Sequence, residues 1–191
     1  TGQSGSGKST VANIVSGLAT SAHSCGNISI SICDNSHITQ ELEDFSWANA
    51  GYLTQTNSIL AGTLAYNLTL GLETVTDEQL WHVLKLVELD TWAQSLSNGL
   101  DTWLGDTGAM LSGGQARRLS LARLLFRDPA IVILDEPFNG IDTSMSLRIW
   151  NNIKDWLAKR KVVLLCHEFP ELLLKQATTE NINLNVTQNE S

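Results

Sequence analysis

The chain has 191 residues and a mass of 20.8 kDa, the size of one ordinary domain, and 42% hydrophobic residues leave enough apolar material to bury a core, which excludes a disordered chain. Twelve Lys and Arg against twenty Asp and Glu give a formal charge of −8, the wrong sign for a protein that tracks nucleic acid by neutralising phosphates. The longest apolar runs, residues 130–134 and 162–166, are far shorter than the ~20 residues needed to cross a bilayer, and the three cysteines (Cys25, Cys33, Cys166) contain no C-x-x-C pair, so neither a zinc site nor a disulfide framework is indicated and a cytosolic, reducing setting is expected.

The chain opens on Thr1-Gly2-Gln3-Ser4-Gly5-Ser6-Gly7-Lys8-Ser9-Thr10, with no initiator Met or signal peptide, so it starts inside a motif and the strand that should precede this loop is expected upstream. Residues 10–18 read as a helix leaving the loop, and residues 28–33 alternate as a half-exposed strand does. Thr76-Asp77-Glu78-Gln79 has the form of a capping box, followed by Leu80, Val83, Leu84 and Val87 at the spacing of one helix face. Residues 112–127 form a further expected helix, with Leu121, Leu124 and Leu125 on its apolar face and Arg117, Arg118, Arg123 and Arg127 elsewhere. Ile149, Trp150, Ile153, Trp156 and Leu157 mark another. Residues 130–134 and 162–166 are continuous apolar runs rich in β-branched residues, as strands covered on both faces are, so a parallel α/β sheet is expected. The Asn-, Thr- and Gln-rich stretch 178–191, where only Ile182, Leu184 and Val186 alternate, is expected to fray. With no repeat and no Pro-rich linker, one compact unit is the simplest organisation.

Three segments carry chemistry. Gly2-x-x-x-x-Gly7-Lys8-Ser9 matches the phosphate-binding loop, in which glycines let successive N–H groups converge on phosphate oxygens at a helix N-terminus. There Lys8 supplies a point charge to the β- and γ-phosphates and Ser9 a Mg²⁺ ligand; a flexible Gly/Ser loop is the alternative. The run ending in Leu134-Asp135-Glu136 delivers two carboxylates at the C-terminal end of a strand, where open α/β sheets bind ligands. Asp135 would hold Mg²⁺ and Glu136 would polarise the water attacking a γ-phosphate; the plain alternative is a surface turn bearing two charges. The third segment, Leu111-Ser112-Gly113-Gly114-Gln115, leads straight into a helix, and its chance occurrence is on the order of one in several thousand.

That last string is the signature of the ATP-binding cassette, and the sequence resembles the nucleotide-binding domain of ABC transporters along nearly its whole length. The resemblance implies an α/β P-loop NTPase with a mostly parallel sheet and an inserted helical subdomain, truncated at its N-terminus. Residues 1–58 and 116–191 would form the RecA-like core and residues 59–115 the helical subdomain. It implies ATP and Mg²⁺ as cofactors, with Gly2, Gln3, Ser4, Gly5, Ser6, Gly7, Lys8, Ser9 and Thr10 on the phosphates of the domain's own ATP, and Ser9, Gln55 and Asp135 on the metal. Ser112, Gly113, Gly114 and Gln115 would cradle the γ-phosphate of ATP held by a second such domain, since a helix N-terminus suits an anion. Gln55 resembles the Q-loop glutamine that contacts the metal and the attacking water, His167 the switch histidine that contacts the γ-phosphate, and Asp142 the D-loop aspartate that crosses the dimer interface. Read without the resemblance, these three are a turn glutamine, a core-edge histidine and a helix N-cap. Catalysis would fall to Glu136, His167 and Gln55.

Gly62-Thr63-Leu64, Asn67-Leu68 and residues 99–106 resemble exporter-type cassettes, in which the last stretch contacts coupling helices. Trp103-Leu104-Gly105 and Arg117-Arg118-Leu119 with Ala122-Arg123 are most similar to the CydC half of cysteine/glutathione exporters. The resemblance thus implies an ATPase at the cytoplasmic face of a membrane, as part of an integral membrane transporter, with a second nucleotide-binding domain (homo- or heterodimer) and a transmembrane domain as partners and no nucleic acid. The alternative is a soluble ABC ATPase that uses ATP-driven dimerisation for regulation or assembly. A simple P-loop kinase is disfavoured, because monomeric transfer needs no second phosphate cradle.

The chain also departs from the family pattern. The aromatic residue that stacks on adenine would lie upstream of Thr1, Thr54 and Thr56 flank the glutamine in place of a proline and an acidic residue, and Asn139-Gly140-Ile141 replaces Ser-Ala-Leu. The stretch after His167 is short and polar, so the C-terminal lobe is expected to be truncated. Glycosylation patterns at Asn27, Asn67 and Asn185 are read as chance, and Trp81, Trp92, Trp150 and Trp156 as packing residues rather than a stacking surface for single strands.

Overall fold

The computed structural model describes residues 32–34, 36–38, 50–72, 74–105 and 109–165. Along them run β1 (Ile32–Asp34), β2 (Ser36–Ile38), β3 (Ala50–Leu53), β4 (Gly62–Thr63), α1 (Leu64–Thr69), α2 (Asp77–Leu86), α3 (Asp90–Ser95), a 3-10 turn (Gly99–Asp101), β5 (Trp103–Leu104), α4 (Gly113–Arg127), β6 (Ile131–Asp135), α5 (Thr143–Leu157) and β7 (Lys161–Leu165). The helix expected over 10–18 and the alternation at Ile182, Leu184 and Val186 lie outside the described residues. Of the strand expected over 28–33, Ile32 and Cys33 fall in β1, which pairs antiparallel with β2.

The expected parallel sheet is present, with strand order β3-β6-β7. In its register Leu53 lies opposite Leu134 and Asp135 opposite Leu165. The central strand β6 is buried from Val132 to Asp135, as a continuous apolar run predicts. The run 130–134 announces a strand that lies one residue further on, and the strand announced by the run 162–166 begins one residue earlier. The ladder takes in Asp135 at the end of β6 and Lys161 at the start of β7, because main-chain pairing is indifferent to side-chain polarity.

Capping explains where the helices begin. The Thr76 hydroxyl accepts from the Gln79 N–H while Gln79 Oε1 accepts from the Thr76 N–H, and Leu80, Val83 and Leu84 then turn one face of α2 inward. Ser112 and Gln115 form the same reciprocal pair at the start of α4, at 3.2 and 2.8 Å. Asp142 Oδ1 accepts from the Met145 N–H at 2.9 Å and starts α5, whose Ile149, Trp150, Ile153 and Leu157 are buried. At its far end α4 stops on Asp128 in the left-handed region, φ 51°, with Pro129 following.

One apolar cluster joins the sheet to the helices. Leu53, Val132 and Leu134 meet Leu119, Leu121, Ala122, Leu124 and Leu125 of α4, and the same cluster continues to Leu64 and Leu68 of α1 and Leu80 and Leu84 of α2. The expectation that all four arginines of α4 lie off its apolar face is corrected here. Arg117 is 1% exposed and Arg118 is buried too, because Arg117 shares a face with Leu121 and Leu124, at i, i+4 and i+7. The tryptophans do pack: Trp150 is buried edge-on to Phe138, and the Trp156 ring carries the Arg160 guanidinium at 3.8 Å. Asn67 is fully buried, its amide donating to the Leu60 and Thr63 carbonyls, so its glycosylation pattern is inert in the fold.

Candidate functional site

Two adjacent parallel strands deliver the described part of the site. Because Leu53 and Leu134 are in register, the chain leaving β3 at Thr54-Gln55 runs beside the end of β6 at Asp135-Glu136. Gln55 and Asp135, forecast from separate motifs, therefore meet: Gln55 Nε2 lies 3.4 Å from Asp135 Oδ1. Asp135 is 1% exposed, and its second carboxylate oxygen faces the Tyr52 hydroxyl at 3.4 Å. Burial, reinforced by the charge of Asp135, pushes the Tyr52 phenol up to about 12, so this hydroxyl stays a donor throughout the neutral range.

Glu136 sits just past the strand in the left-handed region, φ 50°, a conformation that a non-glycine residue keeps only when its surroundings hold it. Three groups do so. Its N–H donates to the Leu165 carbonyl at 2.7 Å, its carbonyl accepts from Arg117 at 2.8 Å, and its carboxylate accepts from Asn139 Nδ2 at 3.2 Å. Asn139 thus turns one of the chain's departures from the family pattern into a direct contact with Glu136.

Arg117 is the buried cation of the site. It donates to the Thr54 carbonyl, to Asn57 Oδ1 at 3.2 Å, and to the carbonyls of Asp135 and Glu136. Desolvation pulls its guanidinium below the usual arginine range, opposed by the charges of Asp135 and Glu136. No motif points to Tyr52, Arg117 or Asn139 as site residues. The signal for Arg117 is an arginine at an apolar-stripe position of α4; for the other two it is cross-strand and turn geometry that spacing does not encode.

The start of α4 presents a second surface. A Cβ on Gly113 would meet nothing within 4 Å, whereas one on Gly114 would come within 2.9 Å of the Gly140 carbonyl oxygen. The Ser112 oxygen accepts from the Gln115 N–H, and its own proton stays available to a ligand. Asp142 lies just beyond Gly140, exposed, its side chain held by Ser144 and the Met145 N–H, which keep its carboxyl below the usual aspartate range. Residues 2–10 and His167 lie outside the described residues.

The donor chemistry near Asp135 fits Mg²⁺: one carboxylate and one amide, both hard oxygen donors once the Gln55 amide is turned over. Among the described residues no group of three or more His, Cys, Asp or Glu is placed to hold a metal ion. Beside Gln55 opens a groove of about 550 Å³ lined by Thr54, Thr56, Ser58, Leu72 and Arg123 among others. Leu60, Tyr66, Leu72 and Trp103 are exposed apolar side chains. No helix among the described residues is long and apolar enough to cross a membrane.

The family model for ABC transporters matches residues 1–139. A multidrug resistance-like ATP-binding protein of Buchnera aphidicola is 36% identical over 90% of this chain and 29% of its own length. A multidrug resistance ABC transporter ATP-binding and permease protein of Lactococcus lactis is 31% identical over 90% of the chain and 28% of its own. The chain thus spans less than a third of the curated relatives it matches. A bacterial Atm1-family ABC exporter solved with ATP bound shares the fold, with a TM-score of 0.72 and 24% identity over 87% of this chain and 28% of that one. The chain belongs to the ABC transporter family, as an ATP-binding domain of its ATPases.

Proposed function

We propose that the chain binds ATP with Mg²⁺ through residues 2–10, hydrolyses it in a head-to-tail sandwich with a second such domain, and so drives a transmembrane domain that exports a cargo. The observation that carries this reading is the meeting of Gln55 with Asp135, the residue before Glu136, where two adjacent parallel strands end. Ser9, Asp135 and Gln55 would hold Mg²⁺, which would supply neutralisation of the phosphate charge. Glu136 takes the proton of the attacking water, oriented by Asn139 and by its fixed backbone. His167 contacts the γ-phosphate. In the opposite half-site Ser112, Gly113, Gly114 and Gln115 cradle the γ-phosphate of the partner's ATP, a role supported by the open face of Gly113 and the available Ser112 proton. Asp142 lies at the same interface.

The RecA-like regions 1–58 and 116–191 and the helical region 59–115 are the two bodies of this motor. The groove beside Gln55 and the exposed Trp103 and Tyr66 support docking of the membrane domain there, at the cytoplasmic face of a membrane. The narrower CydC-type reading, with a thiol-bearing cargo, rests on Trp103-Leu104-Gly105 and Arg117-Arg118-Leu119.

The test is the solution mass, by light scattering, of a Glu136→Gln variant extended upstream of Thr1, with and without MgATP. A monomer that becomes a dimer only with MgATP, and not when Ser112→Arg is added, is the expected result. ATP binding without any dimer, alone or with a candidate partner domain, would overturn the composite site.

A further inference from the structure

The geometry points to Arg117 as a positioning residue for hydrolysis: one buried guanidinium that locks the Gln55 loop and the Glu136 backbone to the helix bearing Ser112. This inference rests on the composite site proposed above. Arg117 leaves α4 five residues after Ser112 and is 1% exposed. One of its terminal nitrogens serves Thr54 and Asn57, on either side of Gln55; the other serves the carbonyls of Asp135 and Glu136. The planar fork is what makes this possible, since a lysine ammonium is a single point and cannot reach two loops at once.

Stability alone is a poor reason to bury this group. Well-packed apolar replacements for buried charges are often neutral or stabilising, and Arg117 Nε is left without a hydrogen-bond partner. The gain lies in register. Gln55 and Glu136 follow different strands, β3 and β6, and their spacing decides whether water and γ-phosphate are held together. Arg117 fixes that spacing and refers it to the helix whose first turn faces the partner's ATP. A shift of α4 when the sandwich closes is thereby passed to the Glu136 carbonyl, next to the left-handed backbone that aims its carboxylate.

The test is steady-state ATP hydrolysis by the full-length protein, comparing wild type, Glu136→Gln, Arg117→Lys, Arg117→Met and Asn57→Ala, with nucleotide affinity and Tm measured alongside. Arg117→Lys and Arg117→Met are expected to lower kcat by about 10–100-fold, with KM and nucleotide affinity within about twofold, as loss of an outer partner of an active group does. Asn57→Ala removes one acceptor without touching the cation; it should lower kcat by about threefold at unchanged Tm, which keeps the test decisive if Arg117→Met fails to fold. Wild-type kcat in both Arg117→Lys and Asn57→Ala, with Glu136→Gln inactive, would overturn the role of Arg117 and leave the site intact. Full activity of Glu136→Gln would instead overturn the site itself.

Discussion

At Asp135 two uncharged donors, the Tyr52 phenol and the Gln55 amide, approach one buried carboxylate. The phenol is held protonated by its burial and by the neighbouring negative charge, with its titration moved from 10.0 to about 12. The sign of the resulting pH dependence follows from linkage. Below pH 10 Tyr52 is protonated whether the chain is folded or not, and its contribution to stability is fully present; between pH 10 and about 12 only the unfolded chain loses the proton, and that contribution drains away. Tyr52→Phe, which has no such proton, should therefore show a shallower fall of Tm with alkaline pH than wild type, while the two fall together at neutral pH apart from the lost hydrogen bond. Thermal unfolding of both proteins from neutral pH into the alkaline range checks this, and parallel curves would mean that the phenol is not held as described.

The two glycines at the start of α4 do different work, and one substitution at each separates them. Alanine is favoured over glycine in a helix by about 1 kcal/mol. At Gly113 nothing stands in the way of a Cβ, so Gly113→Ala should leave Tm unchanged or raise it slightly. At Gly114 the Cβ would press to 2.9 Å on the carbonyl oxygen of Gly140, itself at φ 76°, and a backbone atom cannot step aside as a side chain can. Overpacking of that kind costs typically 1–3 kcal/mol, more than the helix gains, so Gly114→Ala should lower Tm by roughly 2–4 °C per net kcal/mol. Thermal unfolding of the pair decides it, and equal Tm values would sink the argument. Helix α2 was readable from sequence because capping is local, Thr76 with Gln79, and α4 because Leu121, Leu124 and Leu125 recur at helical spacing; the matching cap of Ser112 with Gln115 came only with the structure. The short elements were not. Helix α1 has six residues and β4 and β5 two each, too few to show a period, and the two strands depend on pairing Gly62 with Leu104, distant in the chain. Arg117 was misread for a related reason: an arginine is assumed solvated until its buried acceptors, main-chain carbonyls invisible in a sequence, are in view.

At the scale of the molecule α4 is the shared spine. It runs unbroken from Gly113 to Arg127, across the proposed border between residues 115 and 116, with Leu119, Leu121 and Ala122 almost wholly buried between the sheet and the preceding helices. The α/β class and the parallel sheet were legible from two apolar runs, whereas the register that joins Gln55 to Asp135 was not, because strand neighbours are chosen by three-dimensional packing. A helix common to both regions has a thermodynamic consequence: neither region keeps its core if the spine is damaged. Leu119→Ala should cost about 2–5 kcal/mol, a large share of the roughly 5–15 kcal/mol that holds a domain together. The loss should appear as one cooperative transition at lower temperature, because the apolar cluster is continuous through α4. Far-ultraviolet circular dichroism reports all the helices, while fluorescence reports the six tryptophans, among them Trp81 and Trp92 before the spine in the chain and Trp150 and Trp156 after it. Coincident curves from the two measurements would establish a single folding unit, and a split would mean that residues 59–115 hold together without the sheet.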